Sequence, residues 1–397
     1  TVPGGLATYD FSAIDADILG AVYEQYLGHM AGEAKRRVTQ SQQARMNLGM
    51  PQDTVFEVTS RPRRRKEKGI YYTPRWVVDY IVQQTLGAYI EEHAQEPEAI
   101  HNVKVLDMAS GSGSFLIRAY DELLGWHTRA FDRPLAGIDA HERTLILQNN
   151  IFGVDLDPQA VEIARLNLLL RALAHRGSLP SLADNIKVGN SLITGAGDDL
   201  RPFFGDEWET KRPFDWESEF EAVSSSGGFD IIIGNPPYVR IQSLDRNDAN
   251  YFRSNFESAH GSFDLYVLFL ERALHLLKPG GRLGFITSGK FLKTSYGGKL
   301  RELLHRVATI EAIVDLSALA VFSDATTYPV ILVATKPHRE QPLAYTEVHE
   351  SDDWSGASNL PPCLLRPVRR RLRRDSGLFH LLRMGVSSSD STQRRLR

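Results

Sequence analysis

The run FDIIIGNPPY, at residues 229–238, ends in four residues that suit the binding of a planar amino group. The β-branched residues are typical of a buried parallel strand, and two prolines prevent the strand from continuing. We therefore expect Asn235, Pro236, Pro237 and Tyr238 at the carboxyl end of a strand, where open α/β sheets bind ligands. A turn that merely ends a strand is the alternative interpretation.

These four residues would suit methyl transfer to an amine such as the exocyclic amine of adenine. That nitrogen is a poor nucleophile because its lone pair is delocalised into the ring. Oxygen acceptors on Asn235 and Pro236 would draw the nitrogen towards tetrahedral geometry and match the charge that develops on it. Tyr238 would stack on the base for about 1–3 kcal/mol, comparable with the cost of extruding a base from a duplex. This chemistry needs no covalent intermediate, and the sequence predicts no metal site.

The run VLDMASGSGSF, at residues 105–115, places Asp107 at a strand end before a loop that contains Gly111 and Gly113. Glycines allow close approach of a ligand, and the helix that follows offers free N–H groups. A dinucleotide-binding loop would have a third glycine, which is missing here. The acid Asp107 would repel a phosphate, but it can accept a hydrogen bond from the amino group of a methionine-like zwitterion. The loop therefore favours S-adenosylmethionine over a dinucleotide, although a plain β–α turn is the alternative.

Two further strand ends carry polar residues. In FGVDLDP, Asp155 could accept from both hydroxyls of a ribose, while Asp157, directly before a proline, is better placed to cap the next helix. In VGNSL, Asn190 could bind the amino group of the cofactor's adenine. Taken alone, Asn190 is equally compatible with a turn.

Two other segments complete the candidate site. In GIYYTP, Thr73 is expected to cap a helix whose positive end could hold the cofactor's carboxylate, with Tyr71 or Tyr72 beside it. A capped helix after a linker is the alternative. Near the end of the predicted sheet, Phe322 could form a second aromatic wall of the base pocket, although it is equally compatible with ordinary core.

Strand and helix patterns alternate from residue 102 onwards, which predicts an α/β fold with a doubly wound, mostly parallel sheet. Helical periodicity also predicts an amphipathic helix at residues 14–30 and a second helix at residues 76–86. The polar stretch 194–228 is expected to be a surface insertion.

The composition is that of a globular protein, with 397 residues, 42% hydrophobic residues and a net charge of −3. The single cysteine, Cys363, excludes a disulfide framework. No apolar run is long enough to span a membrane, and we expect a cytoplasmic protein. Arginine is concentrated at residues 61–68 and 366–397, which are expected to be solvated.

The motifs GIYYTP, VLDMASGSGSF, NIFGVDLDP, VGNSL, GNPPY and DLY, followed by a late aromatic residue, together resemble the gamma-class adenine-N6 DNA methyltransferases. The closest likeness is to the modification domain of type IIG restriction–modification enzymes, and it covers about residues 14–336. It implies a Rossmann-like S-adenosylmethionine-dependent methyltransferase fold, double-stranded DNA as partner, and an adenine flipped out of the duplex.

The resemblance also assigns residues to each ligand. It gives the flipped base to Asn235, Pro236 and Tyr238, with Phe322 as a second stacking residue. The expected cofactor-binding residues are Tyr72, Thr73, Asp107, Ala109, Gly111, Gly113, Phe115, Asp155, Leu156, Asn190, Ser191 and Asp264.

Three segments are expected: a helical extension with a basic linker at 1–68, the catalytic domain at 69–336, and an irregular basic tail at 337–397. The chain departs from type IIG enzymes because it shows neither a full target-recognition domain nor a nuclease site. We therefore expect these modules to be missing or separate, and the tail to be the truncated start of a recognition domain.

Other functions stay open at this point. A glutamine-amide methyltransferase acting on a release factor uses a similar NPPY on a planar amide, and RNA guanine-N2 methylation is a further variant. A catalytically silent DNA-binding remnant is the non-enzymatic alternative, held to DNA by phosphate contacts alone. The GIYYTP motif, the extended helical amino end and Phe322 favour DNA methylation.

Overall fold

The computed structural model describes residues 73–130, 138–172, 180–319, 321, 328–336 and 344–347. Its strands are β1 Val105–Asp107, β2 Ile151–Asp155, β3 Ile186–Val188, β4 Phe229–Gly234, β5 Leu277–Ser288, β6 Thr309–Asp315, β7 Pro329–Thr335 and β8 Ala344–Glu347. They form an eight-stranded sheet in the order β3-β2-β1-β4-β5-β7-β6-β8. Strand β8 lies in the tail that the sequence predicted to be irregular.

Strands β1 to β5 are parallel, whereas β7 is antiparallel to both β5 and β6. The predicted mostly parallel, doubly wound sheet is therefore confirmed. Parallel neighbours need a crossover of a dozen or more residues, usually a helix, whereas antiparallel strands can be joined directly. The described residues between β6 and β7 contain no helix, and an antiparallel pair does not require one.

Helices cover both faces of the sheet. They are α1 Arg75–Val82, α2 Ala88–Glu92, α3 Pro97–His101, α4 Ser114–Ala130, α5 Ala140–Asn150, α6 Pro158–Ala172, α7 Gly197–Phe204, α8 Trp216–Glu219, α9 Glu221–Ser225, α10 Arg246–Asn255, α11 Tyr266–Leu276 and α12 Gly298–Val307. Side chains of a strand point alternately to its two faces, so Ile231 and Ile233 of β4 belong to the core that includes α1 and α4, while Ile232 belongs to the core that includes α11. This alternation buries the whole of β4.

The stretch 194–228 is not a surface insertion, and that prediction was wrong. It folds into helices α7 to α9, and Phe204, Phe214, Trp216 and Phe220 are buried in the core on the α11 side of the sheet. These aromatic residues lie among charged residues and do not recur with a helical or strand period. Their burial therefore could not be recognised from the sequence.

The predicted helix at residues 76–86 is present as α1, continued by a π-helical turn at Gln83–Gly87. Thr73 does not cap it: Pro74 occupies the N-cap position, and no side chain caps the helix. The predicted helix at residues 14–30 lies outside the described residues. No described helix is both long enough and apolar enough to cross a bilayer.

Candidate active site

The strand order places the carboxyl ends of β1 and β4 side by side, at the point where the chain changes direction across the sheet. In doubly wound folds this switch point is where ligands bind. Asn235, Pro236, Pro237 and Tyr238 follow β4 directly, and Pro236 is buried while the other three are half-buried. The structure thus brings the four residues to the expected sheet edge.

The amide of Asn235 is oriented by a residue 162 positions away in the chain. Its Nδ2 donates a hydrogen bond of 3.0 Å to Oγ1 of Thr73. The side-chain oxygen of Asn235 is buried. Because the Thr73 hydroxyl accepts from the NH2 group, it fixes the orientation of the amide and so the side on which the acceptor atom Oδ1 lies.

The ring of Tyr238 packs edge to face on Tyr266, with ring centroids 6.1 Å apart and an interplanar angle of 77°. Tyr266 is fully buried, and its hydroxyl is 3.0 Å from that of Tyr296. Burial raises the pKa of Tyr266 above its ordinary range, so the ring is neutral at physiological pH. Tyr238 is therefore held from one side by a rigid aromatic neighbour.

Asp264 reaches the same edge because residues 239–241 pair with residues 263–265. Ile241 donates to the Phe263 carbonyl at 3.0 Å, and Leu265 donates to the Val239 carbonyl at 2.8 Å. Asp264 is only 7% exposed. Burial raises the pKa of its carboxyl, against the opposing effect of nearby cations. Its assignment to the cofactor remains a prediction.

Asp107 is the most strongly perturbed acid of the described site. It is 1% exposed, and its Oδ1 accepts from the backbone of Ala109 at 3.0 Å. Burial, with a smaller contribution from Asp155, raises the pKa of Asp107 from 3.8 to about 8. A Cβ on Gly234 would lie 2.6 Å from Asp107 Oδ1, so this carboxyl abuts the backbone just before Asn235.

Asp155 joins the glycine loop to the loop after β2. Its two carboxylate oxygens accept from the backbone of Gly111 and of Asp157, each at 2.8 Å. Asp157 in turn accepts from the backbone of Gln159 at 3.0 Å, which confirms that it caps α6. Gly113 has a φ of 89°, and a Cβ there would lie 3.2 Å from that of Ala164, so close helix packing requires glycine.

The residues after β3 are held mainly by the protein itself. Asn190 Oδ1 accepts from the backbone of Leu192 at 3.1 Å, and the Ser191 hydroxyl donates to the Met108 carbonyl at 2.6 Å. Leu156, by contrast, is 53% exposed although it is large and apolar. An exposed leucine at this edge could cover one face of a planar ligand.

Two expected site residues have side chains that pack on or in the core, and two others are not described by the structure. Ala109 is half-buried on the core, and the side chain of Phe115 is buried in it, so these two would contact a cofactor through the backbone. Tyr72 and Phe322 lie outside the described residues. Sequence reasoning missed Tyr296, for which no motif existed, and missed the bond between Thr73 and Asn235, which only the folded chain creates.

Comparisons with known proteins find similar restriction-modification methyltransferases. Residues 149–322 match the family described as Eco57I restriction-modification methylase. The chain is 28% identical over 372 residues to the type II restriction enzyme and methyltransferase RM.Eco57I of Escherichia coli, covering 88% of this chain and 34% of that protein. It is 34% identical over 296 residues to the type II methyltransferase M.BanIII of Aneurinibacillus aneurinilyticus, covering 74% and 43%.

Among solved structures, the type IIL restriction-modification enzyme MmeI in complex with DNA has a similar fold. The TM-score is 0.53 at 17% identity, over 74% of this chain and 40% of that one. This likeness concerns the fold alone. The chain spans less than half the length of each of these three proteins.

Proposed function

We propose that the chain, whose residues 149–322 match the family of Eco57I restriction-modification methylases, methylates the N6 amino group of adenine in DNA. The observation that carries the proposal is the oriented amide of Asn235 at the end of β4. The hydrogen bond to Thr73 fixes which side of the amide carries the oxygen, and an oxygen acceptor is the group that would bind an amino nitrogen at this edge.

The cofactor is S-adenosylmethionine, which supplies a methyl group on a positively charged sulfur. The chemistry of the site fits it, because a buried acid beside a glycine loop suits a cationic amino group better than a phosphate. Asp107 would accept from that amino group, Asp155 from the ribose hydroxyls and Asn190 from the adenine amine. Leu156 would cover one face of the cofactor's adenine.

The protein's part in the reaction is to hold the target amine. Asn235 Oδ1 and the Pro236 carbonyl would each accept one N–H, so that the nitrogen lone pair is free for the incoming methyl group. Tyr238, supported by Tyr266, would stack on the base once it has left the duplex. The surplus proton leaves the nitrogen after transfer, so no base need act beforehand.

An assay with labelled S-adenosylmethionine tests this function directly. The chain is incubated separately with unmethylated genomic DNA, with a release-factor protein that carries a glutamine substrate, and with RNA. The proposal predicts label in N6-methyladenine from the DNA sample. Label in methylglutamine or 2-methylguanine would replace it with one of the other methyltransferase activities, and DNA binding without label would indicate a silent remnant.

Thr73→Val is expected to lower kcat by about tenfold or more, because it removes the hydroxyl that accepts from Asn235 Nδ2 and orients the amide. The KM for S-adenosylmethionine should change little. Thr73→Ser keeps the hydroxyl and should retain most of the activity. If the valine variant instead raises this KM with kcat intact, Thr73 serves the cofactor and not Asn235.

DNA binding is expected to involve the cations around Asp264. Arg240 is exposed and Lys290 is half-buried, and both act electrostatically on the Asp264 carboxyl beside the NPPY segment. We expect the double variant Arg240→Gln and Lys290→Gln to reduce the slope of log affinity against log salt by about 0.9 for each lost phosphate contact.

Fluorescence anisotropy over a range of salt concentrations measures that slope. Arg306→Gln is the matched control, since Arg306 is also exposed but is paired with Glu257. The control should leave the slope unchanged. An equal slope in the double variant and the wild type would show that phosphates do not contact this side of the site.

A further inference from the structure

Arg212 has an unusual backbone conformation. Its φ of 53° is in the left-handed region, and it is the one non-glycine residue of the described chain with a positive φ. It follows the 3₁₀ helix Gly205–Lys211, within the stretch that sequence reasoning had placed on the surface. An arginine held in this region needs compensating interactions, because its Cβ disfavours the conformation.

Arg212 bonds to both of the loops that would enclose the cofactor's adenosine. Its guanidinium donates from Nη1 to the carbonyl of Leu156, after β2, at 2.7 Å. Its own carbonyl accepts from the backbone of Asn190, after β3, at 2.7 Å. The left-handed conformation allows one residue to turn its side chain to the first loop and its carbonyl to the second.

The chain beyond Arg212 is anchored to the β3 side. Phe214 is buried and donates to the Ile193 carbonyl at 2.8 Å. Its ring lies so close to Gly189 that a Cβ there would be 2.3 Å from Phe214 Cδ2. Arg212 therefore extends from a fixed base, and its guanidinium can hold the Leu156 loop at a set distance from Asn190.

We infer that Arg212 is a positioning residue that fixes the adenosine end of the cofactor site by tying the Leu156 loop to the Asn190 loop. The inference rests on the proposed function, since it takes S-adenosylmethionine as the ligand of this edge. Arg212 acts through the two loops and need not contact the cofactor. Leu156, whose exposed side chain would lie against the adenine, is the residue that it places.

The test is the affinity of the Arg212→Gly protein for two ligands, measured by isothermal titration calorimetry. Glycine accepts the positive φ, so the substitution removes the guanidinium without straining the backbone. The ligands are S-adenosylmethionine and 5′-methylthioadenosine, which keeps the adenosine and lacks the amino acid. Arg212 holds the adenosine end, so both ligands should bind about tenfold more weakly, by the same factor.

Two controls isolate the inference. Arg165→Ala removes an arginine that also donates to a backbone carbonyl, that of Ile186 at 2.9 Å, but at the opposite end of β3, and it should leave both affinities unchanged. Arg212→Lys keeps a donor and should restore part of the affinity. If the two arginines served only to stabilise the fold, Arg212→Gly and Arg165→Ala would both lower the thermal midpoint of the apoprotein. Neither variant would then weaken the binding of the two ligands by the same factor.

Unchanged affinities in Arg212→Gly, or a loss confined to S-adenosylmethionine, would overturn the inference while the proposed function stands. If the wild-type chain binds neither ligand, the proposed function itself is wrong. The two failures are thus distinguished by the wild-type titration.

Discussion

Asn235→Ala is expected to reduce methyl transfer to DNA by about 100- to 1000-fold, the usual loss when one preorganised group at a developing charge is removed. The affinity for S-adenosylmethionine should stay within about twofold, because in the proposed mechanism Asn235, whose NH2 group donates to Thr73, binds the target amine, while Asp107, Asp155 and Asn190 bind the cofactor. The decisive result is therefore a large fall in kcat with an unchanged cofactor Kd.

Single-turnover transfer of labelled methyl groups measures the first quantity and calorimetry the second. Asn102→Ala is the matched control, since Asn102 is exposed before β1 and its amide bonds only to the Glu98 carbonyl at 2.9 Å among described residues. It should leave both quantities unchanged. If Asn235→Ala abolishes cofactor binding as well as transfer, Asn235 supports the structure of the site and the account of its acceptor role is wrong.

Asp107→Asn is expected to weaken S-adenosylmethionine binding by about 10- to 100-fold, the value of a hydrogen bond between charged groups. Binding of 5′-methylthioadenosine, which has no amino group, should be unaffected. Equal losses for both ligands would show that Asp107 maintains the loop and does not bind the amino acid.

The pH dependence of cofactor affinity follows from the raised pKa of Asp107, about 8. The carboxyl must lose its proton to accept from the ammonium, so below pH 8 the wild-type affinity should fall by up to about tenfold per pH unit. Above pH 8 the cofactor's own amino group, with a pKa of about 8, loses its proton. Binding should therefore be tightest near pH 8, and Asp107→Asn should remove the acidic limb.

The stability of the cofactor-free protein should respond with a definite sign. Because the folded state raises the pKa of Asp107 from 3.8 to about 8, it holds the proton more tightly than the unfolded chain does. The contribution of Asp107 to the free energy of unfolding should thus be lost progressively as the pH rises from about 4 to about 8. Denaturant titrations of wild type and Asp107→Asn across this range measure that difference.

The positions of the candidate site residues could be predicted because their signals are local. A β-branched run that ends in prolines must stop, and parallel strands bring their carboxyl ends together, so Asn235 and Asp107 are neighbours by topology. Asp157 was recognised as a helix cap for the same reason, since its position before Pro158 is informative by itself. Local chemistry and the strand order were sufficient for these residues.

The residues that hold the site in place depend on long-range contacts and left no comparable pattern. Thr73 looked like a helix cap, yet it bonds to Asn235, far along the chain. Arg212 lies among charged residues that suggested a solvated insertion, and its role follows only from its left-handed backbone and its contacts with two distant loops. Such contacts are set by the packing of buried aromatic residues such as Phe214, which has no periodic signal.

The proposed reaction requires above all that the oxygen of Asn235 faces a base that has left the duplex. The most direct measurement is a structure of the chain bound to adenine-containing duplex DNA and a methyl-donor analogue that cannot transfer. We predict the adenine N6 within about 2.7–3.2 Å of Asn235 Oδ1 and the Pro236 carbonyl, with the base stacked on Tyr238. The proposal would be contradicted if the adenine were still paired in the duplex. It would also be contradicted if the base were extruded but faced the NH2 group of Asn235 instead of its oxygen.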